Sequence, residues 1–359
     1  MIADVLVHRV SVPLVRPFVT AQRSASSHVA VIVEVRDSDG RSGWGEAPCS
    51  WRVTGESPEG VEAAVSGPLA DAVLGADVAR STALYDAIAA ALVRNSAAKM
   101  AVDCAVHDLA ARTEGVPLAV HLGARRALGP VITDMTLSAG EPGQVAALAR
   151  AHRDDGFWTL KVKCGRGGDD RMLLRAIRDA VGDEVTLRVD ANQGYGRDEA
   201  IRTIRGWEDD GIRVAFVEQP VAARALDDLA AVRAAVGTPI VADESVWDHW
   251  DLAEIIRRNA ADTVNIKLAK SGGLSEALRM ARQAEDAGIG VLLGSMMEST
   301  VGIAAAAGMA VALGLDGPQD LDAGLWLSAS PVYGGARYEG TGIRLPDAPG
   351  LGITGLAVP

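Results

Sequence analysis

Apolar positions in the first fifty residues fall in short runs separated by turn chemistry. Residues 2–7 form one run and residues 28–35 a second. Asp37-Ser38-Asp39-Gly40 then supplies a turn before residues 42–46 continue as a hairpin partner. Between the first two runs, residues 16–24 read as a loop, and residues 51–58 as another. From residue 58 to 115 the chain is Ala-rich with helical spacing; Met100, Cys104, His107 and Ala111 fall on one helix face. Beyond Gly129-Pro130 the pattern changes to short apolar runs alternating with helix-patterned segments. The runs lie at 131–137, 159–162, 185–189, 214–217, 240–242, 263–266, 290–293 and 319–321. The middle ones recur every roughly 25–28 residues, the length of a βα unit. Eight such strands alternating with helices predict a (β/α) barrel rather than an open doubly wound sheet. No Gly-x-Gly-x-x-Gly follows the first strand, which argues against dinucleotide binding. From Leu325 onward strand and Gly/Pro turn texture returns, and this tail is expected to rejoin the N-terminal part.

Composition narrows the function classes. The 359 residues suffice for a large core, and 48% hydrophobic with 23% charged is ordinary for a globular chain. A net charge of −12 argues against nucleic acid and against anionic membrane surfaces, both of which recruit basic patches. Residues 301–315 are apolar but shorter than the ~20 residues a bilayer crossing requires, and read as a buried helix. The opening Met1-Ile2-Ala3-Asp4-Val5 lacks the basic and apolar regions of a secretory signal. Cys49, Cys104 and Cys164 are odd in number and widely spaced, as expected of free thiols in a reducing cytoplasm.

The informative residues are the polar ones that close the strands. Lys161 and Lys163 end the second, Asp190 and Asn192 the third, and Glu218 the fourth. Asp243 and Glu244 end the fifth and Lys267 the sixth; Glu298 lies just past the seventh, and Asp320 and Asp322 close the eighth. Side chains at i and i+2 share a face of a strand, and barrel active sites gather at the C-terminal strand ends. Three carboxylates on successive strands, Asp190, Glu218 and Asp243, form a hard oxygen cage suited to Mg²⁺. Lys163 and Lys267 are four strands apart, hence opposite each other across an eight-stranded barrel. Nearby cations are expected to lower a lysine pKa and make it a usable base. One lysine can then remove a proton α to a carboxylate while the metal stabilises the enediolate. The other returns the proton on the opposite face, which is racemisation or epimerisation.

Each residue also has a plain structural reading. A strand-ending Asp is commonly a helix cap, and Glu244, Glu298 and Lys270 can each be salt-bridge members; for Lys270 that is the reading adopted. Met296-Met297 reads as core or pocket lining, His107 and His121 as structural, and Cys164 as packing. What outweighs these readings is the joint spacing: six strand ends in register carrying Lys, Asp, Glu, Asp, Lys and Asp.

With these residues in place, the chain resembles the enolase superfamily, in its muconate-lactonizing-enzyme-like subgroup. Lys161-x-Lys163, Asp190-x-Asn192, Glu218-Gln219-Pro220, Asp243-Glu244-Ser245 and Asn265-Ile266-Lys267 carry the resemblance, which spans essentially the whole chain. It implies an α/β fold: a modified TIM-type (β/α)7β barrel at 126–324 under an α+β capping domain. The cap is built from residues 1–125 and a returning segment at 325–359. It also implies one Mg²⁺ per subunit on Asp190, Glu218 and Asp243, with Lys163 and Lys267 as the acid/base pair. Lys161 then stabilises charge, and Asn192 and Glu244 support the site. Asp320-Leu321-Asp322 resembles the Asp-x-Asp motif with which dipeptide epimerases hold an α-ammonium, a pairing that two anions facing a cation explain. Thr54-Gly55-Glu56 is similar to their second capping loop, and Arg23 falls where some members recognise an acidic side chain. Trp51 is the one tryptophan expected in the pocket, and Glu298 completes the expected substrate contacts. Two departures stand out: Ala323-Gly324 follows Asp322 where Gly-Pro is commoner, and Trp51-Arg52 makes the second loop bulkier.

These observations favour a cytoplasmic, Mg²⁺-dependent epimerase of dipeptides or related N-cationic amino-acid derivatives, and the resemblance implies a homo-oligomer. Rival outcomes of the same enediolate are a proline-type epimerase or dehydratase, an N-acylamino-acid racemase, an o-succinylbenzoate synthase or a cycloisomerase. A Schiff-base aldolase represents a different enzyme class. A non-catalytic binding protein would need neither opposed lysines nor a complete carboxylate triad.

Overall fold

The computed structural model describes residues 1–19, 24–78, 81–124, 129–165 and 167–357. The chain opens on three antiparallel strands, β1 (Ile2–Val19), β2 (Ser24–Asp37) and β3 (Ser42–Pro48), paired in that order. Much of the loop expected at 16–24 is strand: after a register shift between Pro13 and Phe18, Phe18 pairs with Ala25. Proline lacks a ladder N–H, so a shift beginning at Pro13 lets the two arms continue. Residues 20–23, and with them Arg23, lie outside the described residues.

Helices α1 (Pro58–Ala64), α2 (Ala70–Val73), α3 (Ser81–Ala91), α4 (Ser96–Glu114) and α5 (Leu118–His121) follow. The 19-residue α4 lies directly on the sheet. A Cβ on Gly45 would sit 2.0 Å from the Ala101 carbonyl, so only glycine allows strand and helix to approach this closely. The face anticipated from Met100, Cys104, His107 and Ala111 is buried throughout.

The next segment contains seven parallel strands joined in one sheet. They are β5 (Met135–Leu137), β6 (Thr159–Lys163), β7 (Thr186–Asp190), β8 (Val217–Glu218), β9 (Ile240–Ala242), β10 (Thr263–Lys267) and β11 (Gly290–Gly294). Helices α6 (Pro142–Asp154), α7 (Asp170–Val181), α8 (Arg197–Asp209), α9 (Leu226–Ala235), α10 (His249–Arg258), α11 (Leu268–Ser271), α12 (Leu274–Asp286) and α13 (Thr300–Leu313) occupy the connections. In α7, Leu173, Leu174, Ile177 and Val181 form the buried stripe that the helical period requires. The expected eighth strand is reduced to two parallel bridges, Thr133↔Gln319 and Gly294↔Asp320, which close the sheet on itself. The expected run at 131–137 is divided. β4 (Val131–Ile132) pairs antiparallel with the tail, and only β5 enters the barrel. Residues 301–310 of α13 are all buried, and no helix among the described residues is long and apolar enough to cross a membrane.

The tail forms β12 (Val332–Gly334), β13 (Arg337–Glu339), β14 (Gly342–Arg344) and β15 (Ile353–Leu356). It returns to the N-terminal region as expected: Leu14 bridges Leu327, Pro117 bridges Gly350, and Arg112 Nη2 donates to the Ile353 carbonyl at 2.7 Å. A second tie runs from β3 to α13. The fully buried Glu46 lies 2.7 Å from His28 Nε2 and accepts from Ser299 N, Ser299 Oγ and Gly302 N at the start of that helix.

Candidate active site

Strand register assembles the site. Lys163 is level with Asp190, and Asp190 with Glu218; on the far side Lys267 is level with Gly294, which bridges Asp320. Asp243 follows β9 directly. The strand ends therefore form one ring at the C-terminal mouth of the barrel, with Lys163 on the second strand and Lys267 on the sixth, across from each other. A Cβ on Gly294 would lie 2.4 Å from Asn265 Oδ1 and 2.9 Å from Lys267 Cε, so the glycine makes room for both side chains. Asn192, Gln193 and Gln219 adopt left-handed φ values of 43°, 66° and 39° where their strands end. Such backbone costs on the order of 1–3 kcal/mol per residue and clusters where a site must be held in place.

Charges interlock around the ring. Lys161 Nζ lies 2.7 Å from Asp320 Oδ2, 2.8 Å from Glu218 Oε2 and 3.1 Å from Asp190 Oδ2. Lys163 Nζ is 2.7 Å from Asp190 Oδ2, and Lys267 Nζ is 2.7 Å from Asp243 Oδ2. Among the protein's own groups, the carboxylates outweigh the neighbouring cations at Lys161 and Lys267. Burial opposes their charge, but the surrounding carboxylates outweigh it: Asp190, Asp320 and Glu218 at Lys161, and chiefly Asp243 at Lys267. Both are held above the ordinary lysine range. Among the acids, burial and the Asp190 charge push Glu218 up to about 8. Asp190 and Asp243 are held low despite burial, the first by Lys161 and Lys163, the second by Lys267 and Lys270.

Asp190, Glu218 and Asp243 each offer an oxygen within 4.8 Å of the others, and all three are buried. Buried hard-oxygen donors on adjacent strands fit Mg²⁺. A second such carboxylate group joins Asp320 and Asp322 to Asp134, which pairs with Arg188 Nη1 at 2.8 Å. Asp322 accepts from Thr136 N at 2.8 Å and from Trp326 Nε1 at 3.1 Å.

A cavity of about 1140 Å³ opens onto this ring. Its wall contains Lys161, Lys163, Lys267, Asp243, Asp320, Asp322, Asn192, Glu244 and Thr54, so these expected residues are gathered together. Asn192 Nδ2 reaches Glu244 Oε1 at 3.3 Å, and burial together with Asp243 and Asp190 pushes Glu244 up to about 7. Two expected contacts are not gathered. Trp51 is 72% exposed in a surface turn, and the neighbouring Arg52, Val53 and Thr54 line the wall in its place. Glu298 is 1% exposed and off the wall beside Glu46; burial and that neighbour push it up to about 8.

Other residues, given no site role in the sequence, also hold the site. Lys270, read as a plain salt-bridge member, is buried against Asp243 Oδ1, one of the triad. Asn265 Nδ2 joins Glu218 at 3.1 Å to Asp320 at 3.3 Å; its place two residues before Lys267 on the same strand face is the signal that could have found it. Gln219 Oε1 accepts from Asp243 N and Ser245 N, fixing the end of β9. Trp326 is the buried tryptophan of the cavity wall, with Phe18 edge-on at 4.9 Å.

Comparison with known proteins agrees with this geometry. Residues 2–123 match the mandelate racemase / muconate lactonizing enzyme N-terminal domain, and residues 144–355 the enolase C-terminal domain-like family. The chain is 40% identical over 352 residues to an L-Ala-D/L-Glu epimerase of Bacillus subtilis (strain 168), covering 98% of this chain and 96% of that protein. It is 36% identical over 356 residues to a hydrophobic dipeptide epimerase of Enterococcus faecalis (strain ATCC 700802 / V583), covering 98% and 99%. The structure of the Bacillus subtilis L-Ala-D/L-Glu epimerase in a substrate-liganded complex superposes with a TM-score of 0.96 at 40% identity over 99% of each chain. The Enterococcus faecalis V583 dipeptide epimerase complexed with Mg and L-Leu-L-Tyr gives 0.94 at 36% identity, covering 98% of this chain and 99% of that one. Fold, ring and relatives agree: the chain belongs to the enolase superfamily, with both the N- and C-terminal domains of its mandelate racemase / muconate lactonizing enzyme branch.

Proposed function

We propose that this chain is a Mg²⁺-dependent epimerase of dipeptides, an isomerase that moves the proton α to a substrate carboxylate between Lys163 and Lys267. One observation carries the reading: two lysines on opposite barrel strands, each paired with a member of a buried carboxylate triad. In this scheme one lysine takes the α-proton from one face and the other delivers a proton to the opposite face, which inverts the carbon. Lys161 remains a fixed cation beside the triad. Asp320 and Asp322, with carboxylates unsuited to an N-acyl group, receive the α-ammonium. Asp190, Glu218 and Asp243 hold the metal, one ion per subunit. A Mg²⁺ ion held there would supply a Lewis acid for the substrate carboxylate and would offset the negative charge that keeps Lys267 an ammonium. Thr54 and Arg23 belong to the capping loops that face the substrate side chain; Asn192 and Glu244 support the metal side. Residues 1–125 and 325–359 serve as the cap over the barrel at 126–324, in a cytoplasmic homo-oligomer.

The relatives named as dipeptide epimerases support this reading over the other outcomes of the same proton abstraction. The test is α-deuterium incorporation from D₂O into a dipeptide library with Mg²⁺, read by mass spectrometry. Incorporation with inversion at the carboxyl-terminal residue is expected. No incorporation into any dipeptide would refute the proposal.

A further inference from the structure

Away from the barrel mouth, two imidazoles meet where α4 and α5 pack together. His107 Nδ1 on α4 lies 3.3 Å from His121 Nε2 on α5. The other four of the chain's six histidines face a carboxylate or an arginine instead: His8 and Glu34, His28 and Glu46, His152 and Arg16, His249 and Glu276. His107 is buried, whereas the His121 side chain is 12% exposed, which leaves an approach from solvent.

The hydrogen-bond partners fix both tautomers. Ser275 Oγ donates its single hydrogen to Asp103 Oδ1 at 2.5 Å, so toward His107 Nε2, 3.0 Å away, it can only accept. His107 Nε2 therefore carries the ring hydrogen, and Nδ1 has a bare lone pair. Glu114 Oε2 lies 3.0 Å from His121 Nδ1, and a carboxylate only accepts. In a neutral His121 the hydrogen is thus on Nδ1, and Nε2 is bare. Tyr85 Oη is 2.9 Å from His107 Nδ1, but the two ring planes are 13° apart with centroids 4.0 Å apart. The phenol oxygen accordingly sits over the imidazole face, outside the plane in which the lone pair points. Two acceptor nitrogens converge with no hydrogen between them, an arrangement that calls for a cation.

We propose that His107 Nδ1 and His121 Nε2 bind a divalent transition-metal ion of the Zn²⁺, Ni²⁺ or Cu²⁺ class, at a site separate from the carboxylate triad. Nitrogen ligands at ~2.0–2.1 Å around a tetrahedral centre are ~3.3–3.4 Å apart, which is the spacing found. Metal-bound histidines donate the second ring N–H to a carboxylate or another acceptor. Glu114 and the Ser275–Asp103 pair supply those acceptors here. Burial, with His121 beside it, holds His107 down at about 3, so the ring stays in the neutral form that a ligand requires. Imidazole donors select these ions over Mg²⁺, which prefers oxygen. Water fills the remaining positions, and the bound ion ties α4 to α5. The competing occupant is a proton on His121 Nε2, donated to His107.

Cu²⁺ added to the full-length protein at one equivalent, with the triad filled by millimolar Mg²⁺, is the spectroscopic probe. Its electron paramagnetic resonance is expected to show coupling to two imidazole nitrogens, which the all-oxygen triad cannot give. Zn²⁺ titration calorimetry of the metal-stripped protein is expected to find about one equivalent fewer bound in His121→Ala than in the wild type. The paired nitrogen coupling should disappear in the same variant. A wild-type Cu²⁺ spectrum without two coupled nitrogens overturns the proposal with no variant needed, and leaves the proton as the occupant. Equal Zn²⁺ stoichiometry in wild type and His121→Ala overturns it as well, as does a nitrogen coupling that the substitution leaves unchanged. None of these results bears on the epimerase reading.

Discussion

Lys163 and Lys267 are the residues on which the proposed chemistry turns, and their placement makes their loss distinguishable. In the proposed scheme each faces the reacting carbon from its own side, so removing one would leave the other able to abstract and return hydrogen on a single face. Lys163→Ala and Lys267→Ala are each expected to reduce epimerisation by about 10²–10⁴-fold, the range for a general acid–base group. Each variant should still incorporate deuterium into the one stereoisomer whose proton meets the surviving lysine. Chiral separation combined with mass spectrometry reads both quantities, and wild-type inversion by either variant would contradict the assignment. These lysines and the triad were legible because β periodicity and strand ends are local features of the sequence. Gln219 was not, since its role depends on the turn that follows β8, whereas Lys270 is the salt-bridge member its place in the sequence suggested. The tryptophans show the same limit: Trp51 and Trp326 are both sited near candidate motifs, and only tertiary packing decides that the second faces the cavity.

At the scale of elements, α4 joins the capping sheet to α12 through a buried polar cluster. His107 stacks on Tyr85 with ring centroids 4.0 Å apart, and its Nε2 lies 3.0 Å from Ser275 Oγ. Burial, aided by His121, lowers the His107 pKa to about 3. The folded value lies below the unfolded one, so between them the unfolded chain binds the extra proton. This contribution to stability is complete above about pH 6.5 and is lost as pH falls toward 3. Asp103 and Asp108, pushed up to about 6 by burial, have the opposite slope below that value. Comparison with His107→Gln isolates the histidine. Relative to wild type, the variant should gain stability as pH falls from about 6.5, by up to ~1.4 kcal/mol per pH unit. Urea unfolding at several pH values measures this, and a difference that does not vary with pH would contradict it. The barrel strands and the buried α13 were readable from hydrophobic pattern. The extension of β1 through Phe18 and the split of 131–137 were not, because each depends on a partner strand distant in sequence.

In the whole molecule, a buried triad of carboxylates sits within the mixed ring at the centre of one barrel, and a divalent ion bound there would act on the stability of the fold. An ion that binds only the folded state contributes about 2.7 kcal/mol when present at a hundred times its dissociation constant. Mg²⁺ is therefore expected to raise Tm by several degrees relative to EDTA, and Asp243→Asn to remove that increment; calorimetry with equal Tm values in both conditions would contradict the metal assignment. The barrel's closure carries a further consequence. Its eighth position is joined through Gln319 and Asp320, by backbone hydrogen bonds with Ile132 and Asp134 on one side and with Leu293 and Ser295 on the other. Asp320 is also the residue proposed for the substrate's ammonium, so the proposed ligand contact lies on the seam that closes the barrel. Ligand binding should then act as a clasp: the amides of Ser295 and Asp320, which cross that joint, should exchange with solvent more slowly once a dipeptide is bound, while those within β6 and β7 change little.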